Sequence, residues 1–149
     1  MSVFIGVLEI PCRITHYPDS DPQTGTSKED MILEDLISTN ILQRGIGNIN
    51  PMKMARCIRE LERIYGIRQG SVNEKGVNQY VGDKNNFGHQ KSQSDLAKEL
   101  NISDQQLLNY KKLTNLIPEL QSLVEYDSLK ATTAYKIWAK MPQEEQEKF

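Results

Sequence analysis

Gln93-Ser94-Asp95-Leu96-Ala97-Lys98-Glu99-Leu100-Asn101-Ile102-Ser103-Asp104-Gln105-Gln106-Leu107-Leu108-Asn109-Tyr110-Lys111-Lys112-Leu113 is the stretch whose reading decides the fold. Its apolar residues recur at helical spacing in two short runs, Leu96, Ala97 and Leu100, then Leu107, Leu108, Tyr110 and Leu113. Asn101-Ile102-Ser103 between them leaves room only for a tight turn. Ser92-Gln93-Ser94-Asp95 and Ser103-Asp104-Gln105-Gln106 open the two runs as helix caps. Two short helices that cross closely need a small residue where they touch, and Ala97 stands at that place. Four residues later the chain must turn sharply, and Asn101 tolerates the positive φ such a turn demands. Ile102, Leu107 and Tyr110 follow at offsets that wedge the second helix onto the first. Together these features predict a helix-turn-helix, against the plainer alternative of an ordinary helical hairpin.

In a helix-turn-helix the second helix lays its N-terminal part in the major groove of DNA. Its outward residues are expected to be Ser103, Asp104, Gln105, Gln106, Asn109, Lys111 and Lys112. Gln and Asn amides match adenine, and Lys reaches guanine or phosphate. Asp104 either accepts from cytosine or simply favours the positive end of its helix. Ser92, Gln93 and Ser94 open the first helix, where side-chain and amide donors anchor a phosphate.

Working outward, residues 15–27 hold Pro18, Pro22 and Gly25 and read as loop. Thr26 and Glu29 form the expected capping box of a helix with Ile32, Leu33, Leu36, Ile37 and Ile41 as its apolar face, ended by Gly45 and Gly47. Asn50-Pro51 starts the next helix, with Met54, Ile58, Leu61, Ile64 and Tyr65 on one side and Gly66 as its stop. Arg56, Arg59 and Arg63 gather on the other side, either as phosphate contacts or as a solvated face. Residues 66–91 carry five of the nine glycines and read as a flexible linker. Pro118 opens a helix with Leu120, Leu123 and Val124, residues 129–140 form another with Leu129, Ala134, Ile137, Trp138 and Met141 as core, and Pro142 opens a last one. Tyr135 and Trp138 read as core rather than as platforms for stacked bases.

Over 149 residues the formal net charge is −2, so any attraction to nucleic acid must come from local patches. Cys12 and Cys57 make no disulfide framework, and with His16 and His89 they share no ligand spacing, so no metal site is expected. No stretch reaches the roughly 18 apolar residues of a membrane span, and Met1–Ile14 lacks a signal peptide's basic start. A cytoplasmic protein is expected. Val3–Ile14 reads as one or two strands with no sheet to join, and residues 143–149 stop within a helical pattern, as in a fragment of something larger.

The order of these features resembles the ParB family of plasmid and chromosome partition proteins, over residues 5–149. Leu36-Ile37-Ser38-Thr39-Asn40-Ile41-Leu42-Gln43-Arg44 is similar to the family's E-N-x-Q-R box, with Thr39 in place of its Glu and one extra residue between Asn40 and Gln43. Asn50-Pro51-Met52-Lys53-Met54-Ala55-Arg56 resembles its N-P-x-E-x-A helix start, and Leu113–Leu120 its L-L-x-L-P-x-x-V segment. Lys130-Ala131-Thr132-Thr133-Ala134 stands where the family has S-x-x-H-A-R-A, and Pro142–Gln146 where it has P-x-E-x-Q. The resemblance implies a mainly α fold, a ParB-type helix-turn-helix DNA-binding domain with a small N-terminal β remnant. Its expected parts are 1–65 from the N-terminal domain, a linker at 66–91 and the DNA-binding domain at 92–149.

Further implications are Lys130 and Thr132 as additional DNA contacts, a homodimer on palindromic double-stranded DNA, and a ParA-type ATPase as partner. Asn40, Gln43 and Arg44 would be the remnant of a nucleotide pocket that holds CTP and Mg in full-length relatives. The G-E-R-R box of that pocket has no counterpart before Gly6, so no cofactor and no enzymatic activity are expected of this chain. The long linker points towards relatives carried by plasmids, phages and transposons, in partition or transcription regulation. The alternatives are a CTP-dependent DNA clamp in the full-length protein and a helical adaptor that binds protein.

Overall fold

The computed structural model describes residues 12–67 and 91–148. Among them seven α-helices follow in order: α1 (Lys28–Arg44), α2 (Pro51–Ile64), α3 (Gln93–Glu99), α4 (Asp104–Leu113), α5 (Pro118–Glu125), α6 (Ala131–Lys136) and α7 (Gln143–Gln146). Turns of 3₁₀ helix occupy Ile46–Asn48 and Trp138–Lys140. The mainly α class expected from the sequence holds, and among the described residues the only β feature is an isolated bridge between Ser20 and Ser27. The expected strand at Val3–Ile14 lies outside the described residues up to Pro11, and Cys12–Ile14 carry no regular structure. His89 and all of the expected linker except Gly66, Ile67 and Lys91 also lie outside them.

Side-chain caps set where the helices begin. Asn50 Oδ1 accepts from the Met52 and Lys53 amides at 3.0 and 3.4 Å, satisfying donors that have no partner within α2. Its Nδ2 donates to the Glu125 carbonyl at 2.7 Å, so the same residue ties α2 to the end of α5. The α1 cap differs from the expected one. Ser27, not Thr26, accepts from the Asp30 amide at 3.2 Å. Thr26 is held in the preceding turn, where its hydroxyl meets that of Thr24 at 2.7 Å and its carbonyl accepts from the Asp21 amide. At the far end of α2, Gly66 takes φ +64, and the Ile67 amide donates back to the Glu62 carbonyl at 2.9 Å, a Schellman stop that a side chain at 66 would strain.

Helix α2 belongs to two cores. Met54, Ile58 and Leu61 pack with Ile37 and Ile41 of α1, Leu96 and Ala97 of α3, Leu100 just after it, and Leu107 of α4. Met52 and Ala55 pack with Leu113, Leu116, Leu120, Val124 and Ala134. A second face of α2 thus runs through Met52, Ala55, Arg59 and Glu62. Its last two members meet α4 in reverse order: Arg59 donates to Thr114 Oγ1 at 3.1 and 2.8 Å, and Glu62 pairs with Lys111. The two helices therefore lie antiparallel at this contact.

Three expectations about the core change. Of the predicted α1 face, Ile37 and Ile41 are buried and Leu33 packs against them, but Ile32 is exposed and Leu36 is 59% exposed. The line facing α2 is Asp30, Glu34, Ile37 and Ile41, with Asp30 bound to Arg63 at 2.7 Å and Glu34 accepting from the Tyr65 hydroxyl at 2.6 Å. Two polar contacts thus fix the rotation of α1 and turn Ile32 and Leu36 away. Ile137, expected in the core, is 49% exposed at the junction between the end of α6 at Lys136 and the 3₁₀ turn that starts at Trp138. Gln146 is buried where no apolar residue was expected. Its Oε1 accepts from the Ile117 amide at 3.0 Å and its Nε2 donates to the Met141 carbonyl at 2.9 Å, tying the start of α5 to the segment before α7.

The pair at the α2–α4 contact is the most consequential polar feature. Lys111 Nζ lies 2.6 Å from Glu62 Oε1, and Lys111 is only 3% exposed. Removing one member of such a buried pair leaves a charge without compensation, at a cost of about 3–5 kcal/mol, whereas replacing both by apolar residues is often neutral. Lys111→Met is therefore expected to lose about that much stability in urea or guanidinium titrations, and Glu62→Leu with Lys111→Met to recover most of it. A double variant as unstable as the single one would remove the ion pair from this role.

Candidate nucleic-acid interface

Helices α3 and α4 are delimited by two reciprocal caps. Ser92 Oγ accepts from the Asp95 amide at 3.1 Å, and Asp95 Oδ2 accepts from the Ser92 amide at 3.0 Å. Ser103 Oγ accepts from the Gln106 amide at 3.1 Å, and Gln106 Oε1 accepts from the Ser103 amide at 3.0 Å. Hydrogen bonds from the Ser92 hydroxyl and amide hold the Asp95 carboxyl below the usual carboxylate range.

Between the helices, Asn101 takes φ +54, as the turn was expected to require. The Asn101 amide donates to the Lys98 carbonyl at 3.0 Å and the Ile102 amide to the Ala97 carbonyl at 2.9 Å. Ala97 is fully buried at the helix contact, Leu107 is buried, and Ile102 and Tyr110 pack against the same core. The reversal at 101 and the closeness at 97 thus have the local causes read from the sequence.

The outward stripe of α4 is Gln105, Leu108, Asn109 and Lys112, at the i, i+3, i+4, i+7 spacing of one helix face. Gln105 Nε2 donates to Asn109 Oδ1 at 3.1 Å, joining the two amides along the face. Leu108, one of the apolar residues of the helical run, is 40% exposed and stands between them. Ser103, Asp104 and Gln106 are exposed as expected, although Ser103 and Gln106 are committed to capping each other. Lys111 is corrected: it does not face outward but is buried on Glu62. Its position, six residues beyond Gln105, lies about 120° round the helix from it, beside the inward face, and only its charge suggested solvent.

At the start of α3, Ser92 is exposed and Ser94 half-buried, while Gln93 Nε2 donates to Glu62 Oε1 at 3.3 Å. Gln93 is thereby part of the buried contact between α2, α3 and α4. Lys130 and Thr132 are exposed at the start of α6, which packs against α4. Each arginine of the α2 stripe has a partner within the protein: Arg56 on Glu125 at 3.0 Å, Arg59 on Thr114, and Arg63 on Asp30 and Glu60 at 2.7 and 2.9 Å. Asn40, Gln43 and Arg44 are exposed near the C-terminal end of α1, with Asn40 Nδ2 donating to the Leu36 carbonyl at 2.7 Å.

The charges on α3 and α4 are mixed. Asp95, Glu99 and Asp104 accompany the exposed Lys98 and half-buried Lys112, so the surface is polar rather than strongly cationic. Next to it, Lys91 lies 3.7 Å from the centre of the Tyr65 ring and 2.9 Å from Glu99. Burial, together with hydrogen bonds to Glu34 and Glu99, raises the Tyr65 hydroxyl far above its ordinary pKa. Among the described residues no cluster of His, Cys, Asp and Glu suits a metal ion, and no helix is long and apolar enough to cross a membrane. No protein-family model, curated protein or solved structure matches the chain.

Two outcomes follow from this geometry. At position 101, Asn→Gly is expected to leave stability near its starting value and Asn→Val to cost about 1–2 kcal/mol, since Gly and Asn tolerate positive φ whereas a β-branched residue is strongly strained there; equal denaturation midpoints for the two would refute the reading. The depressed carboxyls of Asp21, Asp30 and Asp95 bind protons less readily folded than unfolded. Their contribution is therefore present above about pH 4, the unfolded carboxylate range, and lost as pH falls through the lower folded values. Thermal melts should show Tm falling in that acid window, with a shallower fall for Asp95→Asn.

Proposed function

We propose that this chain binds double-stranded DNA sequence-specifically, through a helix-turn-helix in which α4 is the recognition helix and α3 sits on the backbone. The observation that carries the proposal is the outward stripe of α4. Two linked amides, Gln105 and Asn109, stand on a helix held by a reciprocal cap, a close contact at Ala97 and a buried ion pair. Amides on a rigid helix offer the paired donor and acceptor that base edges in the major groove present. Exposed Lys98 and Lys130, with Lys112 and Thr132, supply the backbone contacts, and Asp104 stands at the helix start next to the reading face.

The resemblance to the ParB family extends the proposal to a homodimer on a palindromic site, in partition or regulation of a mobile element, in a nucleoid- or plasmid-associated cytoplasmic protein. A ParA-type ATPase is its natural partner. The chain itself is proposed to hold DNA without catalysis and without a bound cofactor. A second reading, a protein-binding adaptor, draws on the exposed Ile32, Leu36 and Leu42 of α1.

Selection of bound fragments from a random duplex pool distinguishes the two. The expected outcome is an enriched palindrome that Gln105→Ala with Asn109→Ala no longer enriches, at thermal stability close to that of the parent, because Gln105 is exposed, Asn109 is half-buried and the hydrogen bond between them lies at the surface. Enrichment that survives this double substitution, or no enrichment at all, would count against DNA reading by α4. Lys111 has no place in such a variant, since its loss disrupts the fold.

A further inference from the structure

The chemistry of the α4 stripe points to one class of base pair. We infer that Gln105, Leu108 and Asn109 read a short run of A·T pairs in the major groove, the amides on adenine and Leu108 on a thymine methyl. This rests on the proposed DNA-binding role of α4 and specifies its target.

Guanine presents two acceptors, N7 and O6, and is best matched by a cation or a fork of donors. The described outward face of α4 has one cation, Lys112, in its last turn, where a recognition helix leaves the bases for the backbone. The other lysine of α4 is withdrawn into the core on Glu62. Adenine presents one acceptor and one donor, N7 and the N6 amino group, and a carboxamide offers the complement of both. With Gln105 Nε2 donating to Asn109 Oδ1, Gln105 keeps its oxygen and one N–H, and Asn109 keeps the second lone pair of Oδ1 and both hydrogens of Nδ2, so each amide still offers the donor and acceptor that adenine requires. The link also restrains two flexible side chains before binding, which lowers the entropy lost on contact.

The apolar residue between them fits the same target. Leu108 is 40% exposed although the core has places for leucine on the other side of α4. In the major groove the apolar feature of a base pair is the C5 methyl of thymine. Residues 105 and 109 are separated by about 6 Å along the helix axis, close to the rise of roughly two base-pair steps at 3.4 Å each. One turn of α4 therefore spans adjacent pairs, with Leu108 beside the methyl of a thymine whose adenine, or whose neighbour's adenine, meets an amide. Asp104, the acceptor suited to cytosine, lies at the first position of the helix, outside this group.

The test uses the full chain and the random duplex pool, followed by binding to the enriched duplex in which deoxyuridine replaces thymidine or 7-deazaadenine replaces adenine. The first removes the methyl and the second removes N7, both without altering the pairing or the minor groove. The expected result is A·T pairs at the enriched core, about 5-fold or greater weakening by each replacement, loss of the uridine effect in Leu108→Ala, and loss of the 7-deaza effect in Gln105→Ala with Asn109→Ala. An enriched core of G·C pairs, or replacements without effect, overturns the inference while leaving DNA binding by α4 intact. No enrichment of any duplex overturns both.

Discussion

A lysine and a glutamate brought together away from water are the constraint on which the helical arrangement turns. Glu62 of α2 accepts from Lys111 of α4 at 2.6 Å and from Gln93 of α3 at 3.3 Å, so one carboxylate joins three helices. Apolar contacts alone allow helices to slide and rotate with little penalty, whereas a buried charge tolerates only the geometry that satisfies it. The pair thus sets the rotation of α4 about its own axis. That rotation puts Leu107 and Leu113 inward, and it leaves Gln105, Leu108, Asn109 and Lys112 facing out.

Around this contact α2 acts as the common wall of two cores. One face carries Met54, Ile58 and Leu61 into the core shared with α1, α3 and α4, and the other carries Met52 and Ala55 into the core built by α4 to α6. The arginines along the helix are ties in the same design, reaching Glu125 at the end of α5, Thr114 after α4 and Asp30 of α1. Their ion pairs at the surface contribute little energy each, about 0–1 kcal/mol. Their effect is to select orientation: Arg63 on Asp30 and Tyr65 on Glu34 decide which side of α1 meets α2.

The candidate interface inherits its rigidity from these contacts and from short-range caps. Two Ser-centred boxes end frayed conformations at the starts of α3 and α4, and Asn101 at φ +54 reverses the chain between them. A surface of amides, one leucine and scattered lysines has little long-range attraction for a polyanion. In the proposed role, recognition would rely on short-range complementarity at base edges more than on charge.

What the sequence by itself determined is what depends on near neighbours. The caps at Asn50, Ser92 and Ser103, the stops at Gly66 and Asn101, and the small residue at Ala97 each act within a few positions along the chain, so their chemistry is legible there. The mainly α class follows from the same periodicity. Tertiary structure decided whatever depends on a partner far along the chain. Lys111 looked like a surface cation because its buried partner is 49 positions away. The second face of α2 was hidden because Arg59 and Glu62 continue it beyond Met52 and Ala55, and a half-buried arginine and a buried glutamate make sense there only once Thr114 and Lys111 are opposite them. Ile32 and Leu36 looked like core because spacing reports that residues share a face, while the polar contacts of Asp30 and Glu34 choose which face turns inward. Local backbone chemistry acts over a single turn, but the cost of burying a charge is set by whatever the fold brings to meet it, and that is the physical reason for the division.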